Sequence, residues 1–305
     1  MRGLIVANPA AAAGAVGRRW NEHVRKVHAC FGLLDVAFTK GPGDATTIVR
    51  KAIAEGAERI VAVGGDGTVN ECLNGFAFAD DKPAAAQLAV FPLGTGGDFA
   101  RSIGMRDADV ERLALDERLV DVGRVTNDKG ERYFLNVASF GASGLVVEKV
   151  NTTSKRFGAK ASFMLGTLKG LTQYRNQRVR LRIDDTFEEE ILANTVAVAN
   201  GRYFGGGMKV APEASLADGQ LEVVVIGDIG VGFFVRHSGK IYAGTHGTLP
   251  EVRMFRGANV LVTPLSGDSD IPVDCDGEQM GKAPVRFEVL PKRLKLLAPW
   301  TRAEA

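Results

Sequence analysis

Arg59-Ile60-Val61-Ala62-Val63-Gly64-Gly65-Asp66-Gly67-Thr68 is the stretch whose reading decides the fold. An apolar run of strand length ends in a cluster of glycines, and the residues after Thr68 resume a helical pattern. In a parallel sheet with helices on its faces, ligands bind beyond the carboxyl ends of the strands. Glycines there let the backbone take positive φ and approach a ligand closely, so that amide groups can point at phosphate oxygens. Thr68 reads as an N-cap with Glu71 three residues on, a capping box that sets a positive helix terminus beside the loop. Gly64-Gly65 alone would equally mark a turn serving only geometry; Asp66 and the capping pattern turn the reading toward phosphate.

Strands and helices alternate around this segment. Leu4–Ala7 is a short apolar run. Val16, Trp20, Val24, Val27 and Phe31 recur at three- and four-residue steps, which predicts one amphipathic helix. Leu33–Phe38 reads as a second strand, Asp44 as the cap of a helix carrying Ile48, Ala52 and Ile53, and Leu88–Phe91 as a further strand. Such alternation implies right-handed crossovers and a parallel sheet. After Val125 the texture changes. Asn127–Gly130 is a turn between Leu119–Val125 and Tyr133–Ser139, and Asp184-Asp185 separates Val179–Ile183 from Phe187–Leu192. Strand-like runs follow at Thr195–Ala199, Leu221–Ile226, Ala258–Thr263 and Ile271–Asp274, which suggests an antiparallel sandwich. The expected division is an α/β nucleotide-binding domain over 1–125 and a β-rich substrate and metal domain over 126–284. The final 285–305 segment is free to return to the first.

Bulk properties agree with an ordinary globular chain. Its 305 residues suffice for two domains, and 45% hydrophobic with 24% charged residues can bury a core. A net charge of +2 gives no reason to expect nucleic acid. Cys30, Cys72 and Cys275 are odd in number without CxxC spacing, which argues against disulfides or a zinc site and fits a reducing cytoplasm. Asn8-Pro9 cuts the first apolar stretch short of a signal peptide, and Glu222 and Asp228 interrupt the longest apolar segment. A soluble cytoplasmic protein is the expectation.

The glycine construction recurs one strand later, in Pro92-Leu93-Gly94-Thr95-Gly96-Gly97-Asp98-Phe99-Ala100-Arg101. Neighbouring strands would bring both loops to one sheet edge. Two glycine loops, each with an acidic residue, suit a polyphosphate and its Mg²⁺, which takes one or two carboxylates plus phosphate oxygens. No GxxxxGK[ST] occurs, the first loop lacks the last glycine of GxGxxG, and protein-kinase HRD and DFG elements are missing.

Gly64–Glu71 together with Pro92–Arg101 resembles the diacylglycerol kinase catalytic domain family, which includes bacterial soluble lipid kinases and the sphingosine and ceramide kinases. Val120–Gly123, Gly205–Gly207, Ala211-Pro212, Ser215–Leu221 and Asp276-Gly277-Glu278 stand in that family's order. The GGDGT element is shared with NAD kinases and phosphofructokinases; the Pro92–Arg101 element separates the lipid kinases. The resemblance implies an NAD kinase/phosphofructokinase-like α/β domain followed by an all-β, sandwich-like domain. It implies ATP as co-substrate, contacted by Gly64, Gly65, Asp66, Gly67, Thr68, Val69, Asn70, Glu71 and Thr95, with Asn8 and Thr39 lining the same site and Asp98 in the second loop. Glu278 is implied as general base, and Ser215, Asp218 and Gln220 as holders of a Mg²⁺ tied to the site by Asp121 and Lys155. Arg101 and Asp276 complete the matched motifs. The chemistry leaves Asp66 as the alternative base, and Asp276-Gly277 is also the sequence of a tight hairpin turn. Two positions depart from the family: Gly97 stands where Asn is usual, and Ala11-Ala12 where Ser-Gly is usual.

A lipid acceptor follows chiefly from the resemblance. Lys149–Arg182 adds modest support, with nine lysines and arginines, no acidic residue, and Phe157, Phe163, Met164, Leu165, Leu168 and Leu171 interleaved. Such a segment can lie on an anionic membrane surface, although a solvated basic face is the commoner fate. The expected partners are a membrane lipid substrate and the membrane surface, without nucleic acid; a homodimer is compatible with the sequence. A soluble-substrate kinase of the NAD kinase kind, or a catalytically silent regulator that binds lipid or nucleotide, stands as the alternative.

Overall fold

A computed structural model describes residues 2–78, 81–94, 96–105, 114–145, 174–265 and 270–300. The chain divides into two compact units, residues 1–121 with 292–305, and residues 122–291.

The first unit opens with β1 (Gly3–Ala7), α1 (Ala15–Arg18), α2 (Trp20–Phe31), β2 (Asp35–Phe38), α3 (Asp44–Ala54), β3 (Arg59–Gly64), α4 (Asp66–Leu73), β4 (Gln87–Pro92) and α5 (Asp98–Ser102). β2, β1, β3 and β4 lie side by side in that order, every pair parallel. Strand β3 is buried along nearly its whole length, as a strand covered on both faces must be, and this explains its unbroken apolar run. Ile5, Val61, Val63, Ala89 and Phe91 of the sheet meet Val27 and Phe31 of α2 in one core.

Two local expectations change. The single helix expected from Val16 to Phe31 breaks at Arg19 (φ −111°), whose guanidinium binds Glu22 one turn on. Gly43, in the left-handed conformation, caps α3 in place of Asp44. The Asp44 carboxylate reaches back instead and accepts the Lys40 N–H at 2.7 Å.

The second unit takes up the chain inside β5 (Asp116–Asn127) and continues through β6 (Gly130–Phe134), β7 (Val137–Gly141), β8 (Gln177–Ile183), β9 (Phe187–Ala193), β10 (Thr195–Ala199) and β11 (Leu221–Ile226). Helix α6 (Val231–Ala243), β12 (Val252–Gly257), β13 (Asn259–Pro264), β14 (Pro272–Cys275), β15 (Glu278–Lys282) and β16 (Val285–Ala298) follow. One antiparallel sheet runs β12-β11-β10-β7-β14-β15; β9, β8, β13 and the first half of β16 form the other layer. Val179, Leu181, Val260 and Phe287 of one layer meet Phe140, Val196, Val223 and Val273 of the other, with Phe140 and Phe287 stacked at 6.3 Å. This is the antiparallel sandwich expected after Val125.

The run Tyr133–Ser139, expected as one strand, is broken at Leu135-Asn136. The cause is Asp276, whose carboxylate accepts the N–H groups of Leu135 (3.1 Å), Asn136 (3.2 Å) and Val137 (2.9 Å) and so bends the chain there. β16 serves both units. Val285–Glu288 pair antiparallel with Asn259–Val262, and Lys295–Leu297 pair parallel with Gln87–Ala89 of the first unit. Among the described residues no helix is long and apolar enough to cross a membrane, and Cys30, Cys72 and Cys275 are free thiols.

Candidate active site

In the first unit, Asn8 follows β1, Thr39 follows β2, Gly64 ends β3 and Pro92 ends β4. All four therefore stand at the carboxyl edge of one parallel sheet. From β1 the chain passes outward to β2 on one side and later to β3 on the other, so the strand order reverses between β1 and β3. An open α/β sheet takes its ligands at such a point. Asn8 and Thr68 bridge it: the Asn8 Nδ2–H donates to Thr68 Oγ1 at 3.2 Å, while Asn8 Oδ1 accepts the Ala10 N–H at 3.0 Å. Thr39 is buried, and its N–H donates to the Ala7 carbonyl.

The capping box expected of Thr68 and Glu71 does not form. Gly65, extended at φ −97°, is the N-cap, and the helix already includes Asp66 and Gly67, which puts Thr68 in its first turn. Glu71 turns instead to α3, where its carboxylate accepts the Ala45 N–H at 3.2 Å and its carbonyl accepts the Thr46 hydroxyl at 2.8 Å. No side chain of the N-cap residue satisfies the opening amides of α4, and the first turn of a helix has donors without intrahelical partners. Those donors and the positive end of the helix form a seat for an anion.

The second loop is built differently. Asp66 Oδ2 accepts the Asp98 N–H and Asp66 Oδ1 the Phe99 N–H, each at 3.1 Å. The protein's own carboxylate thus fills the anion position at the start of α5 and ties the two glycine loops together. Their backbones touch elsewhere as well. The Leu93 N–H donates to the Gly64 carbonyl at 3.0 Å, and a Cβ built on Gly94 would lie 2.4 Å from the Gly65 Cα. Gly65, Asp66, Gly67, Gly94 and Gly96 stay partly exposed, whereas Val69 and Asn70, also expected to contact nucleotide, are 4% and 1% exposed within α4. Asp98 is buried in the first turn of α5 and Arg101 lies in its last turn. Thr95 and Lys155 lie outside the described residues, as does most of the basic segment from Lys149 onward.

Both departures from the family pattern have backbone explanations. Gly97 sits at φ 65°, ψ 40°, a left-handed conformation that glycine and asparagine tolerate better than other residues, so the usual Asn and this Gly answer one demand. Replacing Gly97 by Asn should leave stability nearly unchanged, while Val there should lower it by more than about 1 kcal/mol; paired thermal melts measure both. Ala12 lies at φ 51° and Ala13 at φ 54°, where a Cβ is strained. Substituting Ala12 by Gly is expected to stabilise the fold by about 1 kcal/mol, read as a higher midpoint in urea.

In the second unit Asp276 (φ 48°) and Gly277 (φ 82°) form the two-residue turn between β14 and β15, with Cys275 opposite Glu278. The hairpin geometry accounts for Asp276 and Gly277. It does not account for Glu278, which is half-buried at the start of β15. Among the described residues the Glu278 carboxylate makes no hydrogen bond or ion pair. Asp121, buried in the first unit, accepts the Lys292 N–H at 2.7 Å and fixes the chain where it re-enters that unit.

Ser215, Asp218 and Gln220 share one loop. Asp218 accepts the Gln220 N–H at 3.1 Å and binds the Arg256 guanidinium, and Ser215 Oγ lies 3.5 Å from the Ala217 N–H. Hydroxyl, carboxylate and amide oxygen are donors that a hard cation takes, and buried Glu222 beside them keeps Oε2 without a partner. Burial pushes the Glu222 carboxyl above the usual range, and Glu213 and Asp218 add to the rise against Arg256. Among the described residues no cluster of three or more His, Cys, Asp or Glu could enclose a metal, so a cation here would keep waters, as Mg²⁺ commonly does. Asp274, buried in β14, belongs to none of the expected site motifs. Its burial comes from the neighbouring strands, and the Val273-Asp274-Cys275 alternation alone would set it on the face away from the sandwich core.

Residues 2–125 match the family described as the diacylglycerol kinase catalytic domain, and residues 136–298 match the YegS C-terminal NAD kinase beta sandwich-like domain. The chain is 32% identical, over 91% of its length and 88% of the relative's, to a probable lipid kinase YegS-like protein of Chromohalobacter salexigens. It is 29% identical to the diacylglycerol kinase of Bacillus subtilis (strain 168), over 86% of this chain and 84% of that one. A crystal structure of a diacylglycerol kinase from Bacillus anthracis str. Sterne superposes with a TM-score of 0.72 over 100% of this chain and 98% of the other; at 23% identity it shows the shared fold.

Proposed function

The chain belongs to the diacylglycerol kinase catalytic domain family, and from that premise we propose that it transfers the γ-phosphoryl group of ATP to a lipid hydroxyl, with diacylglycerol or a related lipid as acceptor. The observation that carries the reading is the contrast between two acids. Asp66 is committed to two backbone amides, whereas Glu278 is half-buried without a structural task among the described residues.

Glu278 is then the base that takes the hydroxyl proton as the acceptor oxygen attacks the γ-phosphorus and ADP departs. The open N-terminus of α4, with the Gly64–Thr68 loop, seats ATP phosphates on backbone amides. Asp66 holds the second loop against the first and is a positioning residue. Phosphoryl transfer depends chiefly on positioning and charge stabilisation, and rigidly paired glycine loops supply the first. Ser215, Asp218 and Gln220 would hold a Mg²⁺, which supplies positive charge and order to the loop they share. An acceptor dissolved in a bilayer implies contact with the membrane surface.

The test is incubation with γ-labelled ATP and lipids in mixed micelles, followed by extraction and chromatography. Label is expected in the organic phase, dependent on added diacylglycerol or its relatives. Label appearing only on a soluble acceptor such as NAD would overturn the lipid assignment, and ATP binding without any labelled product would overturn catalysis.

A further inference from the structure

The hairpin that carries Glu278 holds a second acid, Asp274 in β14, which is 4% exposed. Three donors reach its carboxyl, one of them the Ser143 hydroxyl. The Ser139 hydroxyl comes from the position directly opposite in β7, and the Gly277 N–H comes from the turn immediately before Glu278. Ser139 Oγ also lies 2.6 Å from Ser143 Oγ, and Ser143 is half-buried. A line of hydroxyls therefore leads from the buried carboxyl toward the surface.

Both charge states of Asp274 can be satisfied there. Ionised, it accepts from Ser139, Ser143 and Gly277. Protonated, it donates its O–H to Ser139 Oγ, whose own O–H turns to Ser143. Burial, which the Ser139 hydrogen bond only partly offsets and the charge of Asp276 reinforces, pushes the Asp274 carboxyl up to about 7. The elements packed against β14 carry Glu278 and Lys282 on β15 and Glu131 and Arg132 on β6, and β7 offers only neutral side chains; among the described residues the charge that acts on the carboxyl is Asp276 in its own hairpin.

We propose that Asp274 is a positioning residue for Glu278: bonded to Ser139 and to the Gly277 N–H, it holds the turn from which Glu278 projects, and its charge state sets how firmly. The proposal rests on Glu278 being the base. A hydrogen bond to an ionised group is roughly twice as strong as one between neutral groups, so the turn is held firmly above the Asp274 pKa and loosely below it.

Two measurements test this on the full-length protein. The first is the pH profile of kcat/KM in the micelle assay, where the wild type should show an acid limb near pH 7. Asp274→Asn keeps the shape but cannot ionise. It should match the wild type at pH 6, fall about tenfold below it at pH 8, and lack the limb. Ser139→Ala, which removes a donor to the carboxylate, should move the limb to higher pH.

The second is melting temperature against pH, which needs no turnover. A carboxyl near 7 in the native state and at its ordinary 3.8 when unfolded costs stability progressively as pH rises between those values, with no further loss above them. The wild type should therefore lose ground to Asp274→Asn from about pH 4 to 7 and run parallel to it above. A melting difference independent of pH overturns the charge switch, and an Asp274→Asn profile parallel to the wild type overturns the positioning role. If Glu278→Gln retains turnover while the melting difference follows pH, the base assignment fails and the charge switch stands.

Discussion

Glu278→Gln is expected to lower turnover by about 10²–10⁴-fold, the usual contribution of a positioned base, while binding ATP and melting as the wild type does. The kinetic half rests on the proposed base role, and the unchanged melting follows from the structure. The Glu278 carboxylate takes part in no hydrogen bond or ion pair among the described residues, so removing its charge leaves no partner stranded. Glutamine keeps the shape of the side chain at the start of β15 and the pairing of that residue with Cys275. The contrast is with Asp66, Asp121 and Asp276, each of which accepts backbone N–H groups; losing any of those would cost stability and confound the kinetics. Steady-state rates beside a thermal melt decide the matter. Turnover within a factor of about two of the wild type would exclude Glu278 as base, since even a weak base contributes far more.

The second large effect is expected at Gly94. An alanine there would set its Cβ 2.4 Å from the Gly65 Cα and 3.0 Å from the Gly65 nitrogen. Both obstacles are backbone, so no rotamer change relieves the overlap, and the two loops must separate. A shift of about 1 Å at a phosphate-binding loop can cost ~10²-fold in rate, and overpacking of this kind costs about 1–3 kcal/mol. Gly94→Ala should therefore lose most activity and raise the KM for ATP. It should also blunt the rise in melting temperature expected of the wild type with ATP. An unchanged KM for ATP would mean that the contact between the loops does not shape the nucleotide seat.

Much of the architecture is legible in the residues because its signals are local. The apolar run before Gly64 reads as a buried strand, and the turn residues at Asn127–Gly130 and Asp184-Asp185 mark hairpins that form where expected. The break of the first helix at Arg19 was invisible, since the spacing from Val16 to Phe31 continues without interruption across it. The split of Tyr133–Ser139 was hidden for another reason: its cause, Asp276, lies some 140 residues away. The same holds for the two candidate acids. Motif spacing marks Asp66 and Glu278 alike as candidates. Only the tertiary contact from Asp66 to Asp98 and Phe99 distinguishes the acid bound to the scaffold from the one without a partner among the described residues. Asp274 lay outside every motif, and its burial depends on strands that meet only in the folded sandwich.

One consequence of β16 concerns the order in which the molecule can be made. The parallel neighbour of β4 is the segment Lys295–Leu297, which leaves the ribosome after the whole second unit. Until then β4 is an open edge, with β3 on one side and unpaired amides and carbonyls on the other, the kind of edge to which stray strands add. The parallel sheet therefore spends the synthesis of about 200 further residues, roughly 10–40 s at ribosomal rates, exposed to misassembly, and truncated chains that end before β16 should be prominent among the products that aggregate.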